Sequence, residues 1–317
     1  MMFAARGIAI SFSVFVIVYC ALSLVVCFTW RKVWRWGQRH PVRRRADWLF
    51  ILRMSPLVTA GLITTAFTVP SFLLLEPRAI DEPVGRIPLV LSLCGVALGM
   101  LGVGNAVKAA REAARRVAVW ASDAQAMESG ASVPVLRVSR VAPAMTAAGI
   151  LRPIVLLSST AESVLTAGEL QTALSHEVEH VRRWDNLRKL LLRLVAFPGL
   201  GGLEAAWLEA SEMAADDAAV SNPAEALDLA AALVKLARLG PLEAPLDLTA
   251  SIVHGPAPII NARVERLLAW GERQPVQRQR HSLWYGLSAA LATVTMFAVT
   301  YTQLLVRVHT ATEWLVR

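Results

Sequence analysis

Apolar residues gather in four charge-free runs: Gly7–Trp30, Met54–Leu75, Ile87–Val107 and Ser282–Val306. Each exceeds the roughly 20 residues with which an α-helix crosses the hydrocarbon core of a bilayer. They predict four membrane spans and set residues 108–281 apart as a long segment of mixed pattern. There, Val133–Ser139 and Leu151–Leu157 read as strands, apolar and partly β-branched. Pro143–Gly149 reads as the turn or loop between them. Ala109–Trp120 reads as a helical run, followed by a polar stretch to Gly130. Thr166-Ala-Gly-Glu169 has the form of a capping box, and the helix it opens is expected to reach Trp184. Further helices are expected over Leu203–Val220, from Pro223 (capped by Asn222) to Leu239 with Gly240 as its stop, and over Asn261–Trp270. Residues 187–208 are apolar but broken by Arg188, Lys189, Arg193, Pro198 and glycines. Their charge-free part is too short to span, so they are expected to lie on the membrane surface or to bend back.

A mean hydropathy of +0.49 agrees with a membrane protein. The net charge of +8 concentrates behind the first span, at Arg31, Lys32, Arg35, Arg39, Arg43, Arg44 and Arg45. Such a cluster marks the cytoplasmic side, and Trp30, Trp34, Trp36 and Trp48 suit an interfacial belt. With the loop 31–49 in the cytoplasm, the loop Glu76–Arg86 is external. Residues 1–107 then hold three spans (7–30, 54–75 and 87–107), 108–281 form a cytoplasmic domain, and 282–317 hold the fourth span and a short external tail. Charge beside spans explains the basic composition more economically than nucleic acid does, so no direct nucleic-acid contact is expected. The first span lacks the cleavage site of a signal peptide. Cys20, Cys27 and Cys94 all fall within spans and read as packing residues. Gly95 and Gly99 form a G-x-x-x-G, which permits close helix approach within a chain or in a homodimer.

The chemistry centres on His176-Glu177-Val178-Glu179-His180. On a helix, residues four apart share a face, so both imidazoles can reach one cation, with Glu177 beside it as a general base. A catalytic zinc takes three protein ligands and keeps a place for water. Glu204, Glu209, Glu212, Asp216 and Asp217 are candidates for the third. The spacing favours Glu212, with Asp216 four residues on to orient a ligand imidazole, and leaves Glu209 open. His254 and Arg263 are the candidates for stabilising an oxyanion; each could instead be a surface residue.

Three stretches resemble a known family. Gly149–Leu157 is similar to a G-x-L-R-P-x-I-x-L strand, Glu169–Leu187 to an extended zinc helix ending R-R-x-D, and Glu212–Val220 to an E-x-x-A-D-D-x-A segment. Together they resemble the BlaR/MecR-type antirepressor family of membrane zinc metallopeptidases, gluzincins, over about residues 130–270. The resemblance implies a multi-pass α-helical membrane protein of the bacterial inner membrane with a cytoplasmic, mainly α (α+β) zincin-like peptidase domain containing a small β-sheet. It implies one Zn2+ per chain on His176, His180 and Glu212, Glu177 as base, Asp216 behind a ligand, and strand 152–157 as an edge that pairs with substrate backbone. A protein substrate, by analogy a transcriptional repressor or other regulator, is the expected partner beside the lipid bilayer. HtpX-like quality-control proteases are the nearest rival, but usually carry a histidine where Asp185 stands. A non-proteolytic signalling scaffold stabilised by zinc is the alternative of another class. Ala196–Gly202 and Leu208–Ser211 depart from the family pattern. The external antibiotic-sensing domain has no counterpart before Arg317, so β-lactam sensing is not expected.

Overall fold

The computed structural model describes residues 2–77, 85–127, 132–138, 143–239, 248–251, 257–270, 301 and 303–312. It is mostly helical, with a small mixed sheet. Three helices are long and apolar enough to cross a membrane. The first, α1 (Met2–Gly37), runs through the first apolar stretch and on into the basic cluster. The second begins at α2 (Val42–Ile63), passes through a π-helical turn (Thr64–Thr68) and ends in α3 (Val69–Leu75). The third is α4 (Arg86–Trp120). The expected loop 31–49 is therefore mostly helix, reversing at residues 38–41. The helical run expected at Ala109–Trp120 continues α4 without a break. Thirty-six residues give α1 a length of about 54 Å at 1.5 Å per residue. That is some 20 Å more than the hydrocarbon core, so helix ends project beyond it and offer a platform for the rest of the chain. The fourth apolar run lies largely outside the described residues; a helix occupies 303–312, and the Tyr301 hydroxyl donates to the Ala66 carbonyl at 2.7 Å.

The sheet is built from β1 (Gln125–Met127), β2 (Val135–Val138), β3 (Met145–Ala148), β4 (Ile154–Ser158) and β5 (Ala250–Ser251), in the order β1-β2-β4-β3-β5. β2 and β4 run parallel, with Val135 opposite Val155. β3 runs antiparallel to β4, Met145 facing Leu157 and Ala148 facing Ile154. Two expectations are corrected here. The presumed loop Pro143–Gly149 contains β3, whose four residues are all buried. Strand β4 is not an edge: β2 and β3 occupy both of its sides.

Both sheet faces are covered, which is why β4 is a continuous apolar run. Val155 and Leu157 enter the main core with Met145, Leu229, Leu233 and Leu236. Leu156 and Ala148 pack on Trp120 at the end of α4. Ala161 of the short α5 (Ser159–Val164) joins the main core. That core is closed by α6 (Ala167–Arg182) and α9 (Pro223–Arg238), the latter capped by Asn222, whose side chain accepts from the Glu225 amide at 3.0 Å.

The segment 187–208 divides into α7 (Asp185–Leu194), an irregular stretch, and the start of α8 (Gly201–Ala219). Leu192, Leu200, Leu203 and Trp207 pack against Val26 of α1 and Leu49 of α2. Arg53, buried in α2, donates to the Val195 carbonyl at 2.8 Å. Gly102 of α4 meets the Leu194 carbonyl so closely that any Cβ would strike backbone. The G-x-x-x-G is used unevenly: a side chain at Gly95 would strike Val16 and Phe12 of α1, whereas Gly99 faces open space. All three cysteines are unpaired.

Gly102→Val is expected to cost about 1–3 kcal/mol through overpacking and to lower the thermal unfolding midpoint of the detergent-solubilised protein. Gly99→Ala should leave that midpoint within error, and an equal loss at both positions would refute this packing.

Candidate metal centre

Helix α6 starts where its capping box sets it: Thr166 accepts from the Glu169 amide, and Glu169 Oε2 accepts from the Thr166 amide at 2.8 Å. Lys235 of α9 donates to the same oxygen at 2.7 Å. Two turns on, His176, Glu177 and His180 are all buried. The four-residue spacing brings the two imidazoles onto one face, their Nε2 atoms 3.2 Å apart. From α8, Glu212 sets Oε1 3.5 Å from His180 Nε2 and Oε2 3.7 Å from His176 Nε2. This buried group could hold a metal ion. Two ligand atoms at 2.0–2.1 Å from a tetrahedral ion stand about 3.3 Å apart, close to the three separations observed. Of the five acids weighed from sequence, Glu204 pairs with Arg193, Asp217 pairs with Arg266, and Glu209 is partly exposed. Glu212 is the one that joins the histidines.

Each imidazole is held from behind. His180 Nδ1 lies 2.7 Å from Asp185 Oδ2, which also accepts the Ser211 hydroxyl at 2.7 Å. Asp185 can reach back because α6 ends at Arg182 and Trp184 turns the chain with φ of 56°. That left-handed conformation costs a non-glycine residue about 1–2 kcal/mol. His176 Nδ1 lies 3.0 Å from Asp216 Oδ1. Asp216 in turn receives Arg263 Nε and Nη2 at 2.8 and 2.7 Å, while Arg263 Nη1 donates to Glu212 Oε2 at 3.0 Å. Arg263 comes from α10 (Ala257–Leu268) and is wholly buried, so it is not a surface charge. Its donors are engaged by a candidate ligand and by the carboxylate behind the other. His254 lies outside the described residues.

Glu177 Oε2 accepts the Ala147 amide of β3 at 2.7 Å. Its Oε1 is buried and meets no hydrogen-bond partner among the described residues. Sequence reasoning missed the contributions of Asp185, Ser211 and Ala147. Only Asp185 left a signal, as the aspartate five residues after the second histidine.

Burial pushes the Glu177 carboxyl up to about 7, against the pull of His180 and His176. Burial alone would also raise Glu212 and Asp216. His180 and Arg263 instead hold Glu212 well below its ordinary value, and Arg263 does the same for Asp216. Burial would lower His180, but Glu212 and Asp185 outweigh it and raise the imidazole to about 10. Glu177, Asp185, Glu212 and Asp216 thus face two buried guanidiniums, Arg183 and Arg263. With neutral imidazoles, the form that binds metal, Asp185, Glu212 and Asp216 outnumber the two guanidiniums, and Glu177 adds to the negative side whenever it is ionised. A cation suits that balance.

A cavity of about 320 Å³ reaches His180, lined also by Gly149, Ile150, Pro153, Trp184 and Asn186. Asn186 donates to the carbonyls of Ala147 and Gly149 at 3.1 and 3.2 Å, tying α7 to the end of β3. Gly149 itself has φ of 87°, a left-handed turn that glycine adopts without strain. No protein-family model matches the chain, and no curated protein matches it.

Asp185→Ala should weaken metal affinity by about 10–100-fold, measured by competition with a chelating dye. Arg263→Ala should destabilise by about 3–5 kcal/mol, since it strips two buried carboxylates of their cation. Arg263→Lys should not restore the loss, because an ammonium cannot make the paired contacts of the guanidinium. Full rescue by lysine in thermal unfolding would show that charge alone suffices.

Proposed function

We propose that this chain is a membrane-embedded zinc metalloendopeptidase of the BlaR/MecR-type antirepressor family. In this reading it hydrolyses peptide bonds of a protein substrate at the cytoplasmic face of the bacterial inner membrane, in regulatory proteolysis. The observation that carries the reading is the joint geometry of His176, His180, Glu212 and Glu177. Three ligand atoms converge in a buried cluster, and beside them the Glu177 carboxylate keeps one buried oxygen without a hydrogen-bond partner among the described residues. A structural zinc is normally closed by a fourth protein ligand and needs no neighbouring base. Among the described residues no fourth ligand joins the group, which speaks against the scaffold alternative.

When bound, zinc supplies Lewis acidity: it polarises the scissile carbonyl and lowers the pKa of a water toward about 7. The chain supplies the rest. Glu177 takes a proton from the attacking water at its carboxylate and delivers it to the leaving amine as the C–N bond breaks. The Ala147 amide fixes one Glu177 oxygen, so the other remains to handle the proton. Burial brings the carboxyl near neutrality, as suits a group that must both accept and release a proton. Asp185 holds His180 by Nδ1, and Asp216 Oδ1 lies 3.0 Å from His176 Nδ1, which leaves both Nε2 atoms for the metal.

Two features support the cytoplasmic side. The metal centre lies at the same end of the bundle as the basic turn: Arg188 of α7 pairs with Asp47 at 2.8 Å, and Arg45 donates to Met213 Sδ at 3.6 Å. Basic residues flanking spans favour the cytoplasm. Asp185 also bears on the HtpX-like alternative. Here it holds an imidazole by Nδ1 rather than adding a histidine, which favours the antirepressor reading.

Purified full-length protein should bind about one zinc per chain, the number one catalytic site requires, and should cleave casein or a cytoplasmic proteome. Glu177→Gln should keep the zinc and lose at least a hundred-fold in cleavage rate, within the range for a general base. His176→Ala should lose both. Chelation should abolish cleavage and lower the unfolding midpoint, and added zinc should restore both. Cleavage undiminished in Glu177→Gln, or absence of zinc from the wild type, would refute the proposal.

A further inference from the structure

The turn between α1 and α2 carries a feature that peptide hydrolysis does not use. Lys32, Arg35 and Arg39, with Trp36, line a cavity of about 380 Å³ on the last turns of α1 and the reversal after it. All four side chains are exposed. None of the three cations has a carboxylate within ion-pairing distance among the described residues, unlike Arg188, Arg193 and Arg266 on the neighbouring domain. Two other basic residues of the cluster are directed elsewhere: Arg31 lies over the Trp30 ring at 5.7 Å and Arg45 over the Trp34 ring at 4.9 Å. The frame of the cavity is firm. Trp36 stacks on Trp48 of α2 at 4.8 Å, and the His40 ring meets both indoles edge-on at 4.8 Å. This aromatic clasp fixes the hairpin that presents the cations.

We propose that this cavity is a binding site for the phosphate headgroup of an anionic phospholipid. Lys32, Arg35 and Arg39 recur at three- and four-residue intervals along the end of α1 and the reversal after it and line one shallow, open depression, which suits a compact anion rather than an extended polyanion. The apolar run of α1 ends at Trp30, two residues before Lys32, which puts the cavity at headgroup depth. Trp36 offers the amphipathic ring characteristic of that layer. Phosphate diester is the chemistry recognised; the membrane is the source, because only a lipid also brings acyl chains to the apolar flank of α1. Near an anionic surface each basic residue contributes about 1 kcal/mol. Loss of three therefore corresponds to roughly a hundred-fold in affinity.

The test titrates full-length protein in detergent with phosphatidylglycerol or phosphatidylcholine and counts bound lipid by native mass spectrometry. The wild type should retain phosphatidylglycerol at least ten-fold better than phosphatidylcholine. The triple variant Lys32→Gln, Arg35→Gln, Arg39→Gln should lose that preference, and Arg39→Gln alone should lower it about five-fold. Arg43→Gln with Arg44→Gln, equal in kind but outside the cavity, should keep it. Inorganic phosphate at the same concentration should not displace the lipid. Circular dichroism and a monodisperse elution profile establish that each variant is folded; if the triple variant fails them, Arg39→Gln decides. Unchanged preference in the cavity variants, equal loss in the control pair, or displacement by phosphate would overturn the proposal.

Discussion

Four carboxyl groups, two imidazoles and two guanidiniums are kept out of water where α6, α7, α8 and α10 meet, and the cost of burying that charge shapes the chain around it. Removing an ion from water costs several kcal/mol unless its partners are close and well aligned. The arrangement meets that cost by sharing. Asp216 receives two donors from Arg263 and stands behind His176; Asp185 receives a hydroxyl and stands behind His180. Arg263 also reaches Glu212, so one guanidinium fixes a candidate ligand and the support of another. A point charge could not do this, since the contacts need donors in a planar fork.

How that cluster is held explains why the membrane helices and the sheet-containing part are inseparable in the fold. Helix α8 carries Glu212 and Asp216 on one stretch, while its earlier residues Leu203 and Trp207 pack against α1 and α2. Helix α7 carries Asp185 at its first residue and meets α4 at Gly102 through the carbonyl of its last. The carboxylates of the candidate metal centre are thus placed by helices seated on the three long apolar helices. A shift between α2 and α8 would be felt at Glu212 within three turns of helix, because packed helices move as units.

Much of this was legible in the sequence, for identifiable reasons. The H-E-x-x-H spacing, the Thr166–Glu169 box and the Asn222-Pro223 start are local rules, and local rules survive tertiary context. Apolar run length found the spans but not their ends: it stops at the first charge, whereas the helix continues through Arg31 to Gly37, where water solvates the side chains. Strand β3 escaped because Met145-Thr-Ala-Ala148 has no alternation and a single β-branched residue, Thr146, to announce it. It is a strand because small side chains fit between two covered faces. Likewise, β4 resembled an edge only so long as β3 was taken for a loop. Glu212 could be preferred over Glu209 by spacing, but the choice rests on which face α8 turns toward α6, a tertiary fact.

Trp184 shows how a local cost can serve the centre. A β-turn of ordinary handedness after α6 would carry Asp185 away from the helix face that bears His180. The left-handed residue reverses the chain within two positions, and Asp185 becomes both the first residue of α7 and the partner of His180. The strain of about 1–2 kcal/mol is comparable to what a charged hydrogen bond returns, about 1.5–3 kcal/mol. Asn186, the next residue, anchors the same turn to the carbonyls of β3. Since Ala147 of β3 also fixes Glu177, the short segment Trp184–Asn186 links the histidine that would bind metal to the strand that positions the base. Sequence proximity accounts for the first of these links, and only the burial of β3 beneath α6 accounts for the second.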